Sequence, residues 1–88
     1  MATNELSALT LDQIRLFVCV VQEGSFSAAA RRLRRAQSAV SYGVANLEKL
    51  LGVQLFDRSG HRPALTATGQ GLLSNARQVL DVVGQRFQ

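Results

Sequence analysis

The stretch Ser25–Gly52, SFSAAARRLRRAQSAVSYGVANLEKLLG, constrains the fold more than any other part of the chain. It reads as a short helix, a tight basic turn and a longer second helix. In the first, Phe26 to about Arg34, the residues Ala29, Ala30 and Leu33 share one side. In the second, about Gln37 to Leu51, Val40, Val44, Leu47 and Leu51 recur at spacings of four, three and four. That is the stripe of a helix with one buried face. Gln37, Ser38, Ser41, Tyr42 and Ala45 fall away from the stripe and make a small, mostly polar face without acids. Two helices joined by so short a turn, the second offering hydrogen-bonding side chains at its N-terminal end, suit a DNA-binding helix-turn-helix.

The flanking segments read as support for that pair. Residues 1–9 have little periodicity and are expected to be a flexible end. Thr10, with Gln13 three residues on, forms a capping-box pattern ahead of a helix from Leu11 to about Glu23, with Leu11, Ile14, Phe17, Val18 and Val21 on one stripe. Gly24 is placed to end that helix in a left-handed cap. Ser25 or Ser27 caps the next helix, whereas Ala36 stands at the cap position of the one after and has no side chain to do so. Ser38 or a ligand phosphate is left to satisfy those amides. Cys19 lies inside an apolar run and reads as a small buried hydrophobe rather than a reactive thiol.

After Gly52, the apolar run Val53, Leu55 and Phe56, the loop Asp57–Pro63 and then Ala64 and Leu65 read as a β-hairpin, with Pro63 confining the returning strand to an edge. Behind a helix-turn-helix such a hairpin is a wing, and its tip presents Arg58, His61 and Arg62 to a neighbouring backbone or minor groove. Thr66 or Thr68 opens a last helix running towards Gln88. In it Leu72, Ala76, Val79 and Val83 repeat at four, three and four, and Leu73, Leu80 and Phe87 repeat every seven. The apolar band is wider than one small domain is expected to cover, and the heptad spacing points to pairing with a second copy, packing within the monomer being the alternative. The predicted organisation is thus mainly α: a winged helix-turn-helix over residues 10–65, then a linker and dimerisation helix over 66–88.

Charge agrees with a polyanion partner. The chain has a net charge of +4. Residues 31–62 hold Arg31, Arg32, Arg34, Arg35, Lys49, Arg58 and Arg62 against only Glu48 and Asp57, while the first thirty residues are acidic on balance. Of these, Arg34, Arg35, Arg58 and Arg62, with His61, are the candidates for phosphate contact, which fixes register without reading sequence. Gln37, Ser38, Ser41 and Tyr42 are the candidates for base reading. A glutamine amide can pair with adenine N6 and N7, and neutral groups suit reading while arginines supply salt-dependent affinity.

Other classes fit less well. Asp57, Ser59 and His61 carry the residue types of a hydrolytic triad but crowd one hairpin tip, so no enzyme is expected. Gly69-Gln70-Gly71 opens like a dinucleotide fingerprint, yet Ser74 stands at the sixth position and no βαβ unit follows. One cysteine and one histidine do not make a metal site, and no cofactor is expected. No apolar run approaches the roughly 20 residues needed to cross a bilayer, and the start lacks the features of a signal peptide; a cytoplasmic protein is the simplest expectation. The rival that remains is a winged-helix protein–protein module whose arginines meet an acidic partner.

The ordered series LDQIRLFVCVVQEGSFSAAARRL, AQSAVSYGVANLEKLLGVQLF and DRSGHRPALTATG, followed by an amphipathic helix, resembles the N-terminal domain of LysR-type transcriptional regulators from about Leu9 to the end. The resemblance implies a winged helix-turn-helix, dimerised through its last helix, bound to an interrupted palindrome in promoter DNA. It implies that Gln37, Ser38, Ser41 and Tyr42 lie in the major groove and that Arg58 touches phosphate. Gln37 and Ser41 agree with the family's common residues. Ser38 stands where proline is frequent and Tyr42 where arginine is frequent, so the preferred sequence is not copied from relatives. Gly43 is unusual in mid-helix and costs about 1 kcal/mol relative to alanine. Family members normally continue into an effector-binding domain, which is expected to be absent from these residues.

Overall fold

In the computed structural model, residues 10–84 are described, so the expectations for residues 1–9 and for Phe87 lie outside the described residues. Six elements follow in order: α1 (Leu11–Glu23), α2 (Phe26–Leu33), α3 (Gln37–Leu51), β1 (Phe56–Asp57), β2 (Ala64–Leu65) and α4 (Ala67–Val82).

Each helix starts and stops where local chemistry allows. The Gln13 N–H donates to Thr10 Oγ1 and the Thr10 N–H to Gln13 Oε1, closing the capping box of α1. Gly24, at φ 83°, ends it. Ser25 rather than Ser27 caps α2 by accepting from the Ala28 N–H. The next stop has no glycine: Arg34 takes φ 56° and ψ 48°, and the Arg35 N–H reaches back to the Ala30 carbonyl. A left-handed L-residue costs on the order of 1–2 kcal/mol, so this turn is closed under strain. Thr66 caps α4 by accepting from the Gly69 N–H and donates its own hydroxyl to the Gln54 carbonyl at 2.6 Å. The expected hairpin is present but shorter on its first side. β1 begins at Phe56, paired with Leu65, because the Val53 N–H closes the end of α3 and the Leu55 N–H is taken by a side chain.

α1 is the central element, touching α2, α3 and α4. Leu16 to Val20 are buried without a break, so α1 is enclosed on more sides than a single stripe predicts. Leu11, expected on that stripe, is exposed instead. Phe17 fills the middle and meets Phe56 of the wing at 5.5 Å between ring centroids; Phe56 in turn meets the edge of Phe26 at 5.7 Å. Truncating a buried phenylalanine such as Phe17 costs about 3–5 kcal/mol, so the wing is tied to the deepest part of the core. Gly43 has its reason here: a Cβ at that position would overlap Leu16 of α1, so the residue lets α1 and α3 pack closely.

The last helix corrects the sequence reading. Ala76 and Leu80, expected to face a partner, are each 2% exposed and belong to the chain's own core, with Leu72 and Leu73 packed against it. Periodicity marked these residues as buried without saying by what; within the chain α4 packs against α1 and β2. Among the described residues of the predicted set only Val79 and Val83 are exposed, together with Val82 at 85%. Among the described residues the helix closes at Val82, with Gly84 at φ 79° beyond it, and the rest of the expected run to Gln88 lies outside them.

Candidate nucleic-acid interface

α3 has two faces that the sequence separates cleanly. Val40, Gly43, Val44 and Leu47 are buried. On the other side Gln37, Ser38, Tyr42 and Ala45 are exposed, Tyr42 at 73%, and Ser41 is half-buried between the two. The core therefore anchors the helix by its valines and leucine and leaves a row of neutral polar groups along its leading turns. Ala36, at its start, supplies no side-chain cap, so neither Ser38 nor any other side chain closes that end. The helix N-terminus carries partial positive charge and outward amide groups, a favourable place for an anion.

The arginines around this face are not equivalent. Arg35 makes a two-pronged ion pair with Asp12 at the start of α1, Nη2 to Oδ1 at 2.6 Å and Nη1 to Oδ2 at 2.8 Å. Hydrogen bonding from Arg35 holds the Asp12 carboxyl below its usual range, and Asp12 raises Arg35 in turn. Arg32 pairs with Glu23 at 3.3 Å. Arg34, His61 and Arg62 are exposed and make no ion pair among the described residues. Arg62 leans from the wing tip toward Gly24, its Nη1 lying 3.7 Å from where a Cβ on that residue would be.

Arg58, the first residue of the wing loop after β1, donates from Nη2 to Glu48 Oε1 at 3.3 Å and lies over the Phe26 ring at 5.0 Å from its centroid. The other Glu48 oxygen accepts from the Leu55 N–H at 2.8 Å and the Phe56 N–H at 3.2 Å. Sequence reading counted Glu48 only as one of two acids in a basic stretch and Phe26 only as the first residue of a helix. Periodicity carries no signal for either role, because the partners come from the wing's path after Gly52. Asp57 is occupied as a turn residue. Its Oδ1 accepts from the Ser59 N–H, and that bond lowers its pKa. Cys19 is fully buried, and burial pushes its thiol up, away from the reactive thiolate.

The structure thus brings Gln37, Ser38, Ser41 and Tyr42 together on one helix and gathers Arg34 and Arg35 at its start. Arg58, His61 and Arg62 lie on the hairpin that follows it. Val79 lies apart, on α4, and Val83 is the residue that caps the end of that helix.

A family model described as bacterial regulatory helix-turn-helix protein, lysR family, matches residues 11–70. An uncharacterized HTH-type transcriptional regulator, YeeY, of Escherichia coli strain K12 is 47% identical over 73 residues, 83% of this chain and 24% of that protein. A probable RuBisCO transcriptional regulator of Nostoc sp. is 48% identical over 73 residues, again 83% of this chain but 22% of that protein. The chain therefore spans about a quarter of the length of the curated relatives it matches. Among solved structures, the BenM DNA-binding domain in complex with catB site 1 DNA superposes with a TM-score of 0.84 at 38% identity, covering 88% of this chain and 83% of that one. A complex of the CbnR DNA-binding domain with DNA gives 0.82 at 35% identity, covering 88% of each chain. No helix among the described residues is long and apolar enough to cross a membrane.

Proposed function

The chain belongs to the LysR family of bacterial helix-turn-helix regulators, and on that premise we propose that it binds promoter DNA as a homodimer, each copy reading half of an interrupted palindrome and so regulating transcription. The observation that carries this reading is the outward row Gln37, Ser38, Ser41 and Tyr42 on a helix whose opposite face is locked in the core. A major groove about 12 Å wide admits such a helix. Gln37 takes the adenine edge through its amide. Ser38 and Ser41 bond to bases or phosphates, and Tyr42 stacks on sugar or thymine methyl, or donates its hydroxyl to phosphate. Arg34 and the uncapped start of α3 meet the backbone at one end. Arg58, His61 and Arg62 of the wing meet it at the other, with Arg35 joining on release from Asp12. The exposed valines of α4 supply the contact between copies. A dimer of this kind matches the two-fold symmetry of a palindrome.

Selection of bound duplexes from a random pool is expected to return an interrupted dyad. On that site, Gln37→Ala should cost about 1–3 kcal/mol and relax one base position, whereas Arg58→Ala should weaken matched and scrambled duplexes alike and flatten the salt slope by about one unit. Fluorescence anisotropy at several salt concentrations reads both effects. Equal losses on both duplexes would remove Gln37 from the reading set. No affinity for any duplex would leave the protein–protein module as the better description.

A further inference from the structure

We propose that Glu48 is a positioning residue for DNA binding, holding the wing arginine Arg58 in the attitude from which it meets phosphate; this rests on the DNA-contacting role given to Arg58 above. Glu48 sits in the last two turns of α3, the helix whose first turns carry the reading face, and it is mostly shielded from solvent. One of its oxygens is fixed by two successive backbone N–H groups, those of Leu55 and Phe56, where the chain turns into the wing. That oxygen cannot follow a moving partner, so the second oxygen offers Arg58 a stationary acceptor. The Phe26 ring on α2 supplies a flat aromatic face to the same guanidinium. Phe26 is itself held against Phe56, and Phe56 against Phe17 in the core.

Arg58 is therefore held by two contacts from elements that also define the helix-turn-helix, yet the grip is light. The ion pair is a single 3.3 Å contact through Nη2, so most of the five guanidinium donors stay open on an exposed side chain. Arg35 is the contrast within the same molecule, with both terminal nitrogens engaged by one carboxylate. A long side chain ordered before the encounter does not have to lose its rotamer freedom on binding, which favours affinity without a new contact.

Glu48→Gln keeps a carbonyl oxygen for the two backbone donors and removes the charge that steadies Arg58. Removing an acid from a DNA-binding surface should by simple electrostatics tighten binding. Positioning requires the opposite, a loss of about two- to tenfold, equal on matched and scrambled duplexes, as expected for one side chain that must be ordered anew. In an Arg58→Ala background the same change should have no such effect. Anisotropy titrations of the four proteins of this cycle, with thermal unfolding midpoints measured beside them, decide the matter. Tighter binding by Glu48→Gln would make the acid a competitor of phosphate and overturn the proposal. An equal loss with and without Arg58 would make it a fold residue and overturn it likewise. If Arg58→Ala alone changed nothing, the wing contact itself would fall and this inference with it, while the Gln37 test of the reading helix would stand apart. Phe26→Leu probes the other contact: it removes the ring, leaves Glu48 in place, and should also lose its effect on binding once Arg58 is gone.

Discussion

Arg35 shows that a cation beside a binding face is not thereby available to it. Its pair with Asp12 is bidentate and short, but the side chains are 36% and 45% exposed. Solvent screening then limits its worth to about 0–1 kcal/mol of stability. Because the Asp12 pKa is depressed by folding, whatever the pair contributes is present above the ordinary carboxylate value of 3.8 and is lost as pH falls below it. Stability attributable to this pair should be flat through neutral pH. Urea midpoints for the protein and for Asp12→Asn should differ slightly at neutral pH and converge in acid. The same variant releases Arg35, so it should bind all duplexes more tightly and with a steeper salt dependence. Unchanged anisotropy titrations would return Arg35 to a purely structural role. Asp12 and Glu48 thus predict opposite outcomes for the loss of an acid, because one occupies its arginine fully and the other only steadies it.

At the scale of the elements, two glycines in α4 separate packing from propensity. A Cβ at Gly69 would run into the Leu55 carbonyl, backbone that cannot step aside because it accepts from the Thr66 N–H. Gly69→Ala should therefore destabilise by about 1–3 kcal/mol. Gly71, in the same helix, meets nothing within 4 Å, and Gly71→Ala should stabilise by about 0.5–1 kcal/mol. Denaturant unfolding of both variants checks the pair. The contrast also marks what a sequence can carry. The helices α1, α2 and α3 were legible within a residue because their caps and apolar spacings are local, as with Thr10, Ser25, Gly24 and the Val40 to Leu51 stripe. The outward face of α3 was legible for the same reason. The left-handed Arg34 was not, since no glycine or asparagine marks it. Nor was Glu48, whose partners lie seven and eight residues on, where only the path of the wing brings them back. Gly43 looked like a flaw in its helix, and Gly69 like a fragment of a fingerprint, because the neighbour each accommodates is tertiary.

For the molecule as a whole, the proposed contact between copies falls on α4. Its apolar band divides: Ala76 and Leu80 close the core, and Val79, Val82 and Val83 remain on the outside. Val79→Asp with Val82→Asp should leave the fold intact, since neither residue is in the core, and should shift a dimer to monomer in sedimentation. Loss of the second half-site contact should lower apparent affinity for a full dyad by about 100-fold or more, while affinity for a single half-site is unchanged. A monomeric parent protein would remove the proposed symmetry of the site.

Tyr42 has a practical consequence of its own. The chain contains no tryptophan and one tyrosine, and that tyrosine stands exposed on the outward side of α3. Biosynthetic replacement by fluorotyrosine would therefore place a lone fluorine nucleus at this one location, and its NMR signal would register whatever comes to rest there without a single engineered change to the sequence.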